Sequence, residues 1–346
     1  MNVLNPLKKT GIRRFAICIT RTIKRGVNLG KYLLGRLVRG VITFFIAATI
    51  TFLILRLMPS DPATIMMDPR MSQLDRDLML HNFGLDRPVP VQYAYYLKNM
   101  LHGDLGLSFS TRAPVGKMLM ERIPWTLLLM VCVIINCFIW GIPIGVVAAK
   151  RRNTWLDRFI NVFTVIGTSI FVPSLGVSLL YLFGLKFPIL PIGGTHTPGV
   201  TGVAYVIDVV RHMILPIFTL TFVNLANYVW YMRASMIEIL NEDYMRTARS
   251  KGMTENRAVW RHGVRNALIP TVTMTGLLMG AMVGGSILTE TVYSYPGVGR
   301  LIYEAVQRLD FPVLQGAFLM LSFVVILLGV VVDILYITLD PRINLS

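Results

Sequence analysis

Charged residues are scarce in this sequence. Only 15% of the 346 residues are Asp, Glu, Lys or Arg, whereas 54% are hydrophobic; an ordinary soluble domain carries about 25% charged residues. The hydrophobic residues are concentrated in stretches of about 20 or more, which is the length that crosses the hydrocarbon core of a bilayer. The composition therefore excludes an ordinary soluble domain and predicts an integral membrane protein.

Acidic residues are absent before Asp61, although ten basic residues lie between Lys8 and Arg39. A basic, acid-free flank beside a membrane span is typical of a cytoplasmic segment that faces anionic lipid. The net charge of +16 also raises the question of nucleic-acid binding. Because this segment has few aromatic residues suited to base stacking, we expect no nucleic-acid partner. We expect residues 1–36 to form a basic cytoplasmic extension, in which 1–30 is an amphipathic segment on the membrane surface or a contact with a partner subunit.

The residue patterns of enzymes and nucleotide-binding sites are missing. Lys31 and Lys117 each follow a glycine, but neither is followed by the Ser or Thr that a phosphate-binding loop requires. There is no His-Glu-x-x-His, and no serine stands in a Gly-x-Ser-x-Gly setting, which disfavours an intramembrane protease. The three cysteines are scattered and support neither a disulfide framework nor a metal site. We therefore expect no catalytic residue, no metal site and no cofactor in this chain.

Six hydrophobic stretches predict six transmembrane helices. Their approximate bounds are 38–58, 124–149, 159–185, 212–232, 267–289 and 313–337. The connections 150–158 and 233–266 carry an excess of Lys and Arg, whereas 59–123 is balanced at seven basic and seven acidic residues. Under the positive-inside rule this alternation places the basic connections and both termini in the cytoplasm. We predict one all-α membrane domain over residues 37–346.

The connection at 233–266 carries a helix–glycine–helix pattern. Asn241 is a suitable N-cap, and the two acidic residues after it suit the positive end of a helix. Lys251 and Gly252 suit the other end, because Gly252 can adopt the left-handed conformation that closes a helix. Thr254 can cap a second helix. Three arginines spaced four residues apart follow on that helix: Arg257, Arg261 and Arg265. A short helix outside the bilayer fits the groove of a partner protein; the alternative is a solvated basic face beside lipid headgroups.

The same connection resembles the EAA loop of importer-type ABC permeases, in the version found in the dipeptide, oligopeptide and nickel branch. The matching residues are Tyr244, Arg246, Thr247, Ala248, Arg249, Lys251, Gly252, Arg265, Asn266, Ala267 and Pro270. Segments 58–62, 103–108, 290–301 and 340–342 are similar to further motifs of that branch, although Ser60 replaces a glycine. The similarity covers roughly residues 31–343.

The resemblance implies a type I ABC importer permease fold in the inner or plasma membrane of a prokaryote, with cytoplasmic termini. It implies a second homologous permease subunit, two ATPase subunits that bind ATP and Mg, and an extracytoplasmic substrate-binding protein. Di- and oligopeptides are the expected substrates, with nickel chelates or oligosaccharides as alternatives within the branch. A secondary transporter is the alternative of another class; it would have buried ionisable residues at mid-membrane, and mid-span charge is nearly absent here.

Two groups of site residues follow. By resemblance, the loop docks on an ATPase subunit, and the residues expected to take part are Asp243, Tyr244, Ala248, Arg249, Lys251, Gly252 and Met253. Small or polar residues inside spans are candidates for the translocation path or for helix packing. They are Asn136, Ser169, Asn224, Asn227, Gly276, Gly280 and Gly284. For the polar members, hydrogen bonding between helices is the alternative to lining the path.

Overall fold

The computed structural model describes residues 29–57 and 88–339, with side chains for 34–57 and 88–332. These residues form helices, whose longest connections are 102–114 and 187–202, and contain no β-strand, which confirms the all-α prediction. Most of the predicted N-terminal extension (1–28) and the segments 58–62 and 340–342 lie outside the described residues.

The helices are numbered in chain order. They are α1 (Leu29–Leu57), α2 (Val89–Leu101), α3 (Val115–Lys150), α4 (Trp155–Ser169), α5 (Val172–Leu180), α6 (Val203–Leu240), α7 (Asp243–Ser250), α8 (Glu255–Ala258), α9 (Val264–Val292), α10 (Val298–Gln307) and α11 (Phe311–Leu339). Short π-helical segments follow α5 (Tyr181–Lys186) and α8 (Val259–Gly263).

By length and composition, the described helices provide five single candidate membrane spans and one bent pair. Five helical stretches are long and apolar enough to cross a bilayer: Leu34–Leu57, Val115–Lys150, Val203–Leu240, Glu255–Val292 and Phe311–Val332. At the position of the third predicted span lies the pair Trp155–Ser169 and Val172–Lys186, bent by 95°, which is a sixth span if both halves are counted as one.

The third predicted span, 159–185, is broken into two helical halves. Ile170 and Phe171 adopt extended backbone conformations between the two halves. Pro173 lies in the first turn of α5, and its missing N–H cannot continue the hydrogen-bond ladder of α4. The helix therefore ends at Ser169 and restarts at Val172 in a new direction.

Spans two and four are longer than predicted. At 1.5 Å per residue, the 36 residues of α3 and the 38 of α6 extend about 54 Å and 57 Å, whereas the hydrocarbon core is about 30 Å thick. Residues 203–211, which precede the span predicted over 212–232, are the first part of α6. The connection predicted over 233–266 is mostly helical, and its non-helical residues are only 241–242 and 251–254.

The centre of the bundle is the contact between α3 and α6. A Cβ at Gly141 would lie 2.8 Å from the Cβ of Tyr228, and one at Gly145 would lie 2.7 Å from the Cβ of Met232. Only glycine allows the two helices to approach this closely. Below, the α7 end of the bundle is the one that carries α7 and the α3–α4 turn, and the α10 end is the opposite one.

Candidate functional site

Helix α7 is a two-turn helix at the end of the bundle, between spans four and five. Its N-cap is Glu242, in an extended conformation, and its C-cap is Lys251. Gly252 follows with a φ of 76°, the left-handed conformation that was predicted to close the helix. The prediction that Asn241 is the N-cap is wrong. Asn241 is the C-cap of α6, and its side-chain amide donates to the carbonyl of Ile237 at 2.9 Å.

One face of α7 packs against the bundle. Met245 and Ala248 form a small hydrophobic cluster with Ala258, the last residue of α8. Met253, after the glycine turn, packs against the same cluster. Ala248 is 8% exposed, so its side chain points toward the chain's own interior. Its small size allows α7 to lie close to α8.

The opposite face of α7 is free of such packing. Asp243, Tyr244 and Lys251 are exposed, and the side chain of Asp243 is 97% exposed. Together with Gly252 they form the outward surface of the connection, which we call the α7 surface. Of the residues predicted for docking, these four are therefore placed where a partner can reach them, whereas Ala248 is not.

Arg249 links α7 to both of its neighbours. Its Nε and Nη2 donate to the two carboxylate oxygens of Glu255 at 2.9 Å and 3.0 Å, and Nη1 donates to the carbonyl of Leu240 at 3.4 Å. The hydrogen bonds from Arg249 to Glu255 also hold the pKa of this guanidinium above its usual value. Arg249 is thus engaged by the chain itself.

Helix α8 leads without a break into span five, through the π-helical segment Val259–Gly263 and then α9. The predicted basic stripe is exposed, but the π-helical turn lies within it and alters the helical spacing. Asn256 of α8 accepts a short hydrogen bond from the ammonium group of Lys150, the last residue of α3. The α7 connection therefore contacts spans two, four and five.

Comparison with known proteins agrees with this arrangement. Residues 141–345 match the family of binding-protein-dependent transport system inner membrane components, and residues 29–130 match the N-terminal model of that membrane component. The chain belongs to this family. It is a multi-pass transport subunit of the prokaryotic plasma membrane, and the predicted family is confirmed.

Two relatives cover nearly all of the permease. The oligopeptide transport system permease protein AppB of Bacillus subtilis (strain 168) is 35% identical over 317 residues, which are 91% of this chain and 100% of the relative. The glutathione transport system permease protein GsiC of Escherichia coli (strain K12) is 38% identical over 313 residues, which are 90% of this chain and 98% of the relative.

The candidate pathway residues of the permease do not converge on one site. Asn136 lines a groove of about 930 Å³ between α3 and α6, whose walls are mainly apolar and aromatic. The side chains of Asn136, Ser169 and Asn224 donate to carbonyls of their own helices at 2.8–2.9 Å. Those hydrogen bonds lie within helices and not between them. Asn227 is half-buried and is not among the residues that line the groove.

The glycines of span five also differ from one another. A Cβ at Gly276 would lie 3.7 Å from the side chain of Val332, an ordinary contact, whereas Gly280 and Gly284 face open space within this chain. Closer approaches between helices occur at other glycines, among them Gly141 and Gly145 of α3. A pathway or packing role for the span-five glycines stays a prediction.

Sequence reasoning assigned no role to Glu290, which is fully buried at the end of α9. Its carboxylate accepts hydrogen bonds from the Thr126 hydroxyl at 2.8 Å and from the Arg300 amide at 3.1 Å. Thr126 in turn accepts from the Val298 amide at 2.8 Å. Glu290 and Thr126 thereby cap the N-terminus of α10 and join it to spans two and five. The matched segment 290–301 was the only signal in the sequence.

A second buried carboxylate, Asp310, ties the connection between α2 and α3 to the start of α11. It accepts hydrogen bonds from the hydroxyls of Ser108 and Ser110 at 2.5 Å and 2.9 Å. It also accepts from the backbone amides of Phe109 and Ser110 at 3.0 Å and 3.1 Å. The matched segment 103–108 is therefore held at the α10 end through its last residue.

The α7 end contains an ion pair between spans three and four. The guanidinium of Arg233 donates to both oxygens of Asp157 at 2.7 Å and 2.8 Å. The Asp157 side chain is 3% exposed and that of Arg233 is 21% exposed. The backbone amide of Asn153 also donates to Asp157. This contact fixes the start of α4 and the turn before it against α6.

Proposed function

We propose that this permease forms half of the translocation path of an ATP-driven importer, and that the α7 surface docks on an ATPase subunit. The observation that carries the proposal is the α7 connection. A short helix lies outside the spans and presents an exposed face, and the connection that contains it contacts the ends of three spans. A force applied to α7 from outside the bilayer would reach all three.

The proposed assembly contains this chain, a second homologous permease, two ATPase subunits that bind ATP and Mg, and an extracytoplasmic binding protein. The basic α3–α4 turn and the basic residues around α7 support a cytoplasmic position for the α7 end and for both termini. The α10 end then faces the binding protein. Within this assembly ATP hydrolysis drives the switch between inward-open and outward-open bundles.

Peptides are the proposed substrate class. This rests on the two relatives, which are named as permeases for oligopeptides and for glutathione, itself a peptide. Nickel chelates and oligosaccharides are the alternatives. Uptake of radiolabelled dialanine in cells that carry the complete system should be competed by short peptides. Competition by a nickel–histidine chelate or a maltooligosaccharide, but not by peptides, would reassign the substrate.

Two substitutions test the docking role. Gly252→Pro imposes a φ near −65° where the backbone has 76°, and Ala248→Glu places a carboxylate in the cluster under α7. We expect both to abolish uptake while the chain remains in the membrane, because α7 is displaced or misdirected. Ser250→Ala, at the exposed end of the same helix, is the matched control and should transport normally.

The partner subunits are tested by gentle purification of the tagged chain, followed by mass spectrometry and an ATPase assay. Recovery of a second permease together with nucleotide-binding subunits supports the proposal. A chain that purifies alone and moves solute in liposomes without ATP would favour a secondary transporter. Normal uptake by both substitutions would contradict the role of α7.

A further inference from the structure

The turn after α7 is a point where the helix could pivot. Residues 251–254 are non-helical, and Gly252 has the backbone freedom of a residue without a Cβ. Helix α8, which follows, is continuous with span five. The backbone hydrogen bonds that close the turn, from the amides of Gly252 and Met253 to the carbonyls of Arg249 and Ala248, fix only the α7 side of it. Side-chain contacts are therefore needed to define the angle between α7 and span five.

Two kinds of contact restrain α7. The hydrophobic cluster of Met245, Ala248 and Ala258 holds the helix against the bundle but is not directional. Arg249 supplies directional contacts, because a guanidinium paired with a carboxylate through two parallel hydrogen bonds fixes relative orientation as well as distance. Its third contact, to the Leu240 carbonyl, connects the same group to the end of α6.

The Arg249–Glu255 pair acts mainly by fixing orientation, and its contribution to stability is small. The Arg249 and Glu255 side chains are 38% and 46% exposed, and solvent-exposed ion pairs contribute little to stability. Removal of the pair should therefore leave the chain folded, with α7 still held by the cluster below it. What is lost is the fixed angle across the glycine turn.

We propose that Arg249 is a positioning residue that makes α7 and the start of span five move as one rigid unit. Its guanidinium crosses the Gly252 turn, from α7 to Glu255 at the start of α8, which is continuous with α9. This inference deepens the proposed function and rests on it for the statement that an ATPase drives α7. It also changes the expected role of Arg249 from a contact with the partner to a contact within the permease.

The first test measures how firmly α7 is held relative to span five, as the width of a distance distribution in the isolated full-length permease in nanodiscs. Spin labels are placed at Thr247 on α7 and at Thr273 in span five, both exposed, after removal of accessible cysteines. We expect a narrow distance distribution in the otherwise unaltered chain and a broad one in Arg249→Ala and in Glu255→Ala. The charge exchange Arg249→Glu with Glu255→Arg should narrow it again.

A matched control is available on the same helix. Arg246 is also an arginine of α7, but its side chain is 73% exposed and lies 3.7 Å from Asp243, within the helix itself. Arg246→Ala should leave the distance distribution narrow. Broadening in this control to the extent seen for Arg249→Ala would show that any lost arginine loosens α7, and would overturn the proposal.

The second test measures how well ATP hydrolysis is coupled to uptake in the assembled transporter. Uptake of radiolabelled dialanine per ATP hydrolysed should fall at least about fivefold in each single variant, the lower end of the range for coupling between distant sites. The charge exchange should recover it. A narrow distribution in Arg249→Ala, or a charge exchange as impaired as the single variants, overturns the proposal.

The two tests separate the inference from the proposed function. If the unaltered chain recruits no ATPase subunit, the proposed function fails. The distance distribution in the isolated permease still decides whether Arg249 fixes the angle of α7.

Discussion

Replacement of Asp310 by asparagine tests how the α10 end is held together. The Asp310 carboxylate accepts four hydrogen bonds, two from serine hydroxyls and two from the backbone amides of Phe109 and Ser110. An asparagine keeps one acceptor oxygen and turns an NH₂ group toward the other donors. The serine hydroxyls can rotate to accept a hydrogen bond from this NH₂ group, but a backbone N–H can only donate. One backbone amide must therefore lose its partner.

The expected cost follows from where that amide lies. A buried donor left without a partner costs about 1–3 kcal/mol. Ser110 is exposed and Phe109 is half-buried, so the asparagine should turn its NH₂ toward Ser110, where water can compensate. We therefore expect a cost of about 1–2 kcal/mol, in the lower part of that range.

Thermal unfolding of the purified permease in detergent measures this cost. A loss of that size corresponds to a midpoint lowered by roughly 2–8 °C, with the sensitivity of chains of 150–250 residues as the guide. Asp104→Asn is the matched control, because exposed Asp104 accepts one hydrogen bond, from the Gly106 amide at 2.9 Å, which an asparagine oxygen can keep. An unchanged midpoint for Asp310→Asn, or an equal fall for Asp104→Asn, would refute this account.

Two further predictions concern packing and charge. Gly299→Ala should lower the unfolding midpoint by an amount equivalent to about 1–3 kcal/mol, because its Cβ would lie 2.6 Å from the backbone of span five. Gly284→Ala is the control and should leave the midpoint unchanged, because its Cβ meets open space. Equal midpoints for the two variants would contradict the reasoning. Asp157→Asn should lower the free energy of unfolding by about 1–3 kcal/mol, because it weakens charged hydrogen bonds from Arg233. An unfolding midpoint equal to that of the unaltered chain, in the same assay, would contradict this prediction.

The local features of the permease were accessible from its sequence. Long apolar stretches require a lipid environment whatever they pack against, so five of the six predicted spans recur in order as single helical stretches and the third as a bent pair. The end of α7 was predicted for an equally local reason, since Gly252 supplies the left-handed conformation without the penalty that a Cβ imposes. Motif similarity then supplied the family.

Span and cap boundaries were less accessible. The ends of α3 and α6 lie beyond the bilayer, where hydrophobicity no longer marks the helix, so both spans were predicted too short. Asn241 has the residue type of an N-cap, but α6 continues to Leu240, and the same residue therefore becomes a C-cap. Which role such a residue takes depends on how far the preceding helix extends.

The contacts that organise the two ends of the bundle were decided by the tertiary structure. Glu290 bonds to Thr126 across 164 positions of the chain, and Asp310 bonds to Ser108 across 202. Arg249 has the charge and exposure of a docking residue, yet it pairs with Glu255 in the same connection. A sequence pattern specifies which groups can form hydrogen bonds, whereas the packing of the helices determines which of them meet. That is why the family and its spans were predictable, but the buried carboxylates and the role of Arg249 were not.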